Sequence, residues 1–488
     1  MTRYTNPILY GDYSDPDVIR VEDDFYMVSS SFTYLPGIPV LHSRDLVHWE
    51  IAGYAAERLP FARYDHPAHK CGTWAPSIRW HHGLFYVFVC LPDEGLLVFT
   101  AKNPSDRWEC HYVKDVTGWI DPCPLFDDDG QVWLVHGFAA SRAGINNILY
   151  LHRMSSDAFQ VLDKGRMIYD GNLNGDSTVE GPKVYKRNGQ YWIFCPAGGV
   201  EHGYQLVLRA DNLFGPYERR VALSQGKSWV NGPHQGGLVS DGKGKDWFIH
   251  FQDVNAYGRV PHLQPVDWVD GWPVLGKKGT PVAGGQVDLG PVSYEIPMSD
   301  RFENGIGLQW QWQANPNKYW YLEKKPGLRL FAAPADNPFA AGNFLSQLMQ
   351  FRNFDMDVQF TVHEHDGDRC GVAMMGYTFY SLALGGGRVA LRSGIAQEVN
   401  RWVPIRVSES VIAEMTWLAN KVYFRMRVKN GNVSFFVGEG KQSLRPIGAE
   451  YPMACGGWTG ARPGIFCINT LGAWGGYADA DYVEVAQM

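Results

Sequence analysis

Three acidic residues stand out by type and position: Asp15 in Ser14-Asp15-Pro16-Asp17-Val18, Asp121 in Ile120-Asp121-Pro122-Cys123-Pro124, and Glu180 in Val179-Glu180-Gly181-Pro182. Two carboxyl groups can cut a glycosidic bond, one by protonating the leaving oxygen and the other by activating water or attacking carbon, and the oxocarbenium-like transition state favours negative charge nearby. A third carboxylate can hold the proton on the acid and orient it. Taken singly, such Asp-Pro and Glu-Gly-Pro runs begin turns. Three of them at matched positions of a repeat point to an enzyme.

The repeat is what must position them. Pro16, Pro76, Pro122, Pro182 and Pro233 recur at intervals of 60, 46, 60 and 51 residues. An aromatic residue follows each, at Tyr26, Tyr86, Trp133, Trp192 and Trp247. A five-fold repeat of this period, built from short strands and Gly/Asp turns, predicts a five-bladed β-propeller, because no blade can bury both faces alone. The innermost strands of a propeller line one channel, so Asp15, Asp121 and Glu180 are expected to converge. Their mutual repulsion costs free energy, which suits acid/base chemistry or a cation.

Four further residues belong to this reading. His234, in Asn231-Gly232-Pro233-His234-Gln235, occupies the fifth repeat position and could ligate a cation or water on the axis, or serve as a structural histidine. Arg259 could fork onto sugar hydroxyls or the acid. Phe32 and Trp74 offer flat faces for a sugar ring. The run Asp127-Asp128-Asp129-Gly130 lacks the later ligands of a calcium loop and reads as a β-turn.

At 488 residues the chain predicts more than one domain. The all-β pattern gives a propeller over 1–275, a Gly/Pro-rich linker over 276–297 and a β-sandwich of jelly-roll type over 298–488. A net charge of -7, scattered along the chain, argues against nucleic acid and membrane surfaces as partners. No apolar run approaches the roughly 18 residues of a spanning helix, and the start lacks a signal-peptide core, so the chain as given reads as cytoplasmic. A trimmed leader would make it secreted or periplasmic. The eight cysteines show no metal-ligand spacing and read as reduced core thiols.

The first 275 or so residues resemble glycoside hydrolase family 43, the five-bladed β-xylosidases and α-L-arabinofuranosidases. The resemblance rests on Asn6-Pro7-Ile8-Leu9, Ser14-Asp15-Pro16-Asp17-Val18-Ile19, Ser30-Ser31-Phe32, His42-Ser43-Arg44-Asp45-Leu46-Val47-His48-Trp49, Trp74-Ala75-Pro76, Glu180-Gly181-Pro182 and Asp270-Gly271-Trp272-Pro273. The remainder resembles the concanavalin-like sandwich that follows the propeller in many of the family's xylosidases. The resemblance implies an inverting exo-glycosidase acting on pentose-containing oligosaccharides, with Asp15 as general base, Glu180 as general acid and Asp121 as the carboxylate that tunes the acid. It implies no cofactor for the chemistry, an axial calcium or water at His234, an active-site arginine at Arg259, and pocket walls at Phe32 and Trp74. Ser14 and the Pro-His-Gln-Gly-Gly run around His234 depart from the family's commoner residues. A fructan-cleaving propeller would want an arginine before Asp121, where Ile120 stands. A non-catalytic sugar-binding propeller would have no need of three intact carboxylates.

Overall fold

The computed structural model describes residues 1–398 and 405–488. Among these residues the first half forms five four-stranded antiparallel blades, each from consecutive strands. Their innermost strands are Asp17–Val21, Trp74–His81, Trp119–Phe126, Lys183–Arg187 and His234–Ser240. Tight hairpins join the strands where the sequence supplies residues that accept positive φ. His82-Gly83 and Asn188-Gly189 each have φ > 0 at both central positions, as a two-residue turn matched to strand twist requires.

The recurring aromatic residue acquires a physical role. Tyr26, Tyr86, Trp133, Trp192 and Trp247 lie on the second strand of each blade, and each packs into the apolar seam shared with the next blade. Trp247 of blade five packs with Val18 and Phe25 of blade one, so the last repeat closes the ring. Asn6 reinforces the closure: its amide donates to Leu263 O and Val282 O at 2.9 Å each, and its carbonyl accepts from Leu263 N at 2.8 Å. Asn6→Ala would leave these buried backbone groups unpaired at about 1–3 kcal/mol each. The expected result is a melting temperature lower by several degrees with unchanged KM, read by calorimetry and initial rates.

The segment expected as a linker is packed onto the propeller. Its strand Gly284–Val287 pairs with Thr2–Thr5, and Val287 and Ile296 are buried in the seam between blades five and one. Beyond it the chain forms two facing, mainly antiparallel sheets enclosing one large core, a β-sandwich. The two units are joined by backbone: Leu35 and Trp312 exchange N–H···O bonds of 2.9 and 2.6 Å, and Ala461 N donates to Ala256 O at 2.6 Å.

One cysteine expectation is corrected. Cys370 and Cys467 are register partners on adjacent sandwich strands and form a disulfide, while the other six described cysteines are free. The signal was absent from spacing because 97 residues separate the pair.

Candidate active site

The local geometry of each inner strand decides which side chains reach the axis. Four inner-strand entries place a residue with positive φ directly before proline: Asp15 (φ 55°), Ala75 (φ 32°), Asp121 (φ 56°) and Gly181 (φ 53°). In blade five the bulge falls at Gln235 (φ 34°), between His234 and Gly236. A left-handed aspartate before proline is strained, and such strain is tolerated where the surroundings fix it for function.

This register corrects the repeat alignment. Asp15 and Asp121 share a phase with Ala75, Gly181 and Gln235. Glu180 stands one residue earlier, with Ser14, Trp74, Ile120 and His234; the last three are ladder positions at the kink, and Glu180, outside the ladder, donates its N–H to Pro196 O at 3.4 Å. The three carboxyl groups converge all the same, because both phases face the channel mouth. They line one cavity of about 330 Å³ together with Phe32, Trp74, Gln235 and Arg259.

Each carboxyl group has a different environment. Asp15 Oδ2 accepts from Ser30 Oγ at 2.6 Å, and that hydroxyl in turn accepts from Ala75 N at 2.7 Å. Asp15 Oδ1 lies 3.4 Å from Arg259 Nη1. Arg259 reaches it from the start of the third strand of blade five, Arg259–Val269, and its guanidinium also covers the Phe251 ring. Asp121 Oδ2 accepts from Gly181 N at 2.7 Å, which ties it to the residue next to Glu180, and the Gln235 amide approaches the same oxygen at 3.5 Å. Glu180 accepts no backbone N–H among the described residues, and what favours its charged form is the Arg259 charge and the Gln235 amide. Burial pushes its carboxyl up, and the charges of Asp121 and Asp15 push it further. Asp121 is also raised, chiefly by burial and then by Asp15, but the Gly181 N–H and the Lys183 and Arg259 cations act against that rise. The shared proton therefore belongs on Glu180, with Asp121 as its charged neighbour.

The floor is solid. Directly after the bulge come Asp17, Ser77, Cys123 and Lys183, all fully buried. Lys183 Nζ crosses to Pro76 O at 3.0 Å and Ser77 Oγ at 2.8 Å, and Arg79 Nη1 pairs with Asp17 Oδ2 at 2.7 Å. The cavity is consequently blind.

His234 lies beneath Glu180, its Nε2 3.6 Å from Oε1. Burial, with Arg259 and His250 adding to it, lowers its pKa to about 3, so the contact joins a neutral imidazole to a carboxyl group and is no ion pair. Neither ring nitrogen has a hydrogen-bond partner among the described residues. Calcium asks for six to eight oxygens, and the described residues hold no cluster of three or more His, Cys, Asp or Glu side chains suited to a metal. The unpartnered nitrogens fit only a site at which water supplies most of the oxygens.

The wall contains a residue the repeat could not reveal. Trp458, from the sandwich, lines the cavity beside Trp74, their rings edge to face at 6.3 Å. Lys70 Nζ stands 5.2 Å from the Trp458 ring and pairs with Glu398 of the sandwich, and Arg142 stacks 5.3 Å from Trp74. Phe32 is 6.5 Å from Trp74 and extends the aromatic wall, and the polar Ser141, Asn146 and Thr178 also line the cavity. The only sequence hint of Trp458 is its place in a Gly-rich loop, Gly456-Gly457-Trp458-Thr459-Gly460. Ser30 and Gln235 were legible in principle, since Gln235 shares the phase of Asp15 once bulges rather than prolines are aligned.

Comparison with known proteins agrees with this architecture. Residues 4–273 match the family described as Glycosyl hydrolases family 43, and residues 299–486 match the Beta xylosidase C-terminal Concanavalin A-like domain. A putative beta-xylosidase of Xylanibacter ruminicola is 37% identical over 96% of this chain and 86% of its own length. A non-reducing end alpha-L-arabinofuranosidase of Bacteroides ovatus is 33% identical over 67% of this chain and 64% of its own. The fold matches that of a xylan beta-1,4-xylosidase from Bacillus halodurans with a TM-score of 0.86 at 22% identity, covering 99% of this chain and 100% of the other.

Proposed function

The chain belongs to glycosyl hydrolases family 43, and on that basis we propose that it is an inverting exo-glycosidase that releases xylose, arabinofuranose or both from the non-reducing ends of xylan- or arabinan-derived oligosaccharides. The observation that carries the reading is a blind cavity with three unlike carboxyl groups at its closed end. A chain end can enter such a cavity and reach the carboxyl groups, and the wall that Trp458 of the sandwich adds beside Trp74 stands where the middle of a polysaccharide would have to lie across the mouth.

In this mechanism Asp15 is the general base. Each of its oxygens has one partner, Arg259 or Ser30, and keeps a lone pair for water. Glu180, whose carboxyl is raised, protonates the leaving oxygen. Asp121 acts on Glu180 through its charge and through Gly181, which fixes where that charge sits. The flat faces of Phe32, Trp74 and Trp458 receive the sugar ring. Carboxyl groups and water supply the acid/base chemistry, so no cofactor takes part in bond cleavage.

Release of nitrophenol from nitrophenyl β-xyloside or α-L-arabinofuranoside tests the activity. Monosaccharide as the first product from arabinoxylan fragments supports end-acting cleavage, and a ladder of oligosaccharides refutes it. The ratio of xylose to arabinose released assigns the preferred sugar.

Calcium near His234 is part of the proposal. His234 would be its only or nearly only protein ligand, and its charge would offset the repulsion among the three carboxyl groups. Chelation is then expected to lower activity partially, with restoration by added calcium and little change in melting temperature. Calorimetric titration should show calcium binding that His234→Ala abolishes. Full activity after exhaustive chelation, or binding unaffected by the substitution, contradicts the site.

A further inference from the structure

Asp12 is a buried carboxylate devoted to backbone. Its Oδ1 accepts from Arg259 N at 2.7 Å and its Oδ2 from Gly460 N at 2.8 Å. The first donor belongs to the propeller residue whose guanidinium faces Asp15. The second belongs to the sandwich, two residues beyond Trp458. Among the described residues Asp12 makes no ion pair, although burying an unpaired carboxylate is costly. Burial pushes its carboxyl up to about 6, against the pull of the two N–H groups.

The chains around Asp12 come closer than side chains permit. A Cβ on Gly460 would stand 2.7 Å from Gly258 N and 2.8 Å from Tyr257 O, and a Cβ on Gly258 would stand 2.4 Å from Asp12 Cγ. One residue on from Gly460, Ala461 N donates to Ala256 O. The sandwich loop is therefore seated on the turn that leads into Arg259.

We propose that Asp12 is the positioning residue that registers the sandwich loop carrying Trp458 against the arginine beside the base, so that the cavity wall and the base are set by one carboxylate. This rests on the function proposed above. It makes the accessory domain part of the substrate site, and it explains why a charge is retained where a neutral residue would cost less: one carboxylate can accept from two N–H groups on opposite sides, whereas an asparagine can present a carbonyl to only one.

The test is a double-mutant cycle of Asp12→Asn and Trp458→Ala on kcat/KM for a xylo- or arabino-disaccharide. Each substitution is expected to lower kcat/KM about 10-fold, within the range of couplings between residues that share a contact network. Asp12→Asn is expected to raise KM, beyond the modest fall in melting temperature that one unpaired buried N–H brings. The double variant should fall no more than about 3-fold below the weaker single variant. Gly460→Ala, which opens the same contact from the sandwich side, should reproduce Asp12→Asn and takes its place in the cycle if Asp12→Asn does not accumulate folded. Losses that multiply, or a fall in kcat at constant KM that follows a lowered melting temperature, would overturn the proposal. A wild-type protein inactive on all such substrates would instead count against the function itself.

Discussion

Asp15→Asn is expected to lower kcat by roughly 10²–10⁴-fold on natural and activated substrates alike, the worth of a positioned general base. Water must be activated whatever group departs, and the asparagine keeps the volume and the Ser30 contact while losing the proton acceptor. Glu180→Gln should cost as much on an oligosaccharide, whose leaving hydroxyl needs a proton. With a dinitrophenyl glycoside the leaving group departs as a stable anion, and Glu180→Gln should recover most of its activity. Both variants should fold normally, since neither change alters packing and removal of a buried carboxyl relieves repulsion. Equal impairment of the two variants on both substrate types would refute the division of roles.

Asp121→Asn has the second-largest expected effect, and its sign can be worked out. Glu180 is raised first by burial and then by the negative charges of Asp121 and Asp15. The general acid works only when protonated, so activity is present below the pKa of Glu180 and is lost as pH rises through it. Neutralising Asp121 removes one charge that holds the proton on, and the alkaline limb of the pH–rate profile should move to lower pH by about one unit or more, the usual effect of a nearby charge. At neutral pH the variant should lose activity that it regains partly on acidification. Asn keeps a carbonyl for Gly181 N, so geometry is preserved. An unmoved limb, or one shifted to higher pH, would show that Asp121 does not act through Glu180.

The repeat made the propeller legible because ring closure imposes one physical requirement five times: an aromatic residue in every seam between blades, from Tyr26 to Trp247. It made Asp15 and Asp121 legible for the same reason, since both occupy the strained position before proline. Glu180 was found from its proline although its true phase is one residue earlier, a distinction set by bulge geometry that spacing does not encode. Arg259 lies at the start of a third strand and meets Asp15 only because that strand begins at the channel mouth. Asp12 and the Cys370–Cys467 pair depend on contacts between segments far apart in sequence, for which local pattern carries no signal, and for Trp458 the Gly-rich loop around it does not say which cavity it meets.

The central claim is a single displacement by water, with Asp15 and Glu180 on opposite sides of the scissile bond and roughly 6.5–9.5 Å apart. It is tested most directly by following the anomeric protons of the released sugar by NMR during the first minutes of hydrolysis. The account predicts that the first-formed anomer is inverted, α-xylose from a β-xyloside or β-arabinofuranose from an α-arabinofuranoside, with the other anomer growing in only as mutarotation proceeds. A first-formed anomer of retained configuration would mean a covalent glycosyl-enzyme and would contradict it.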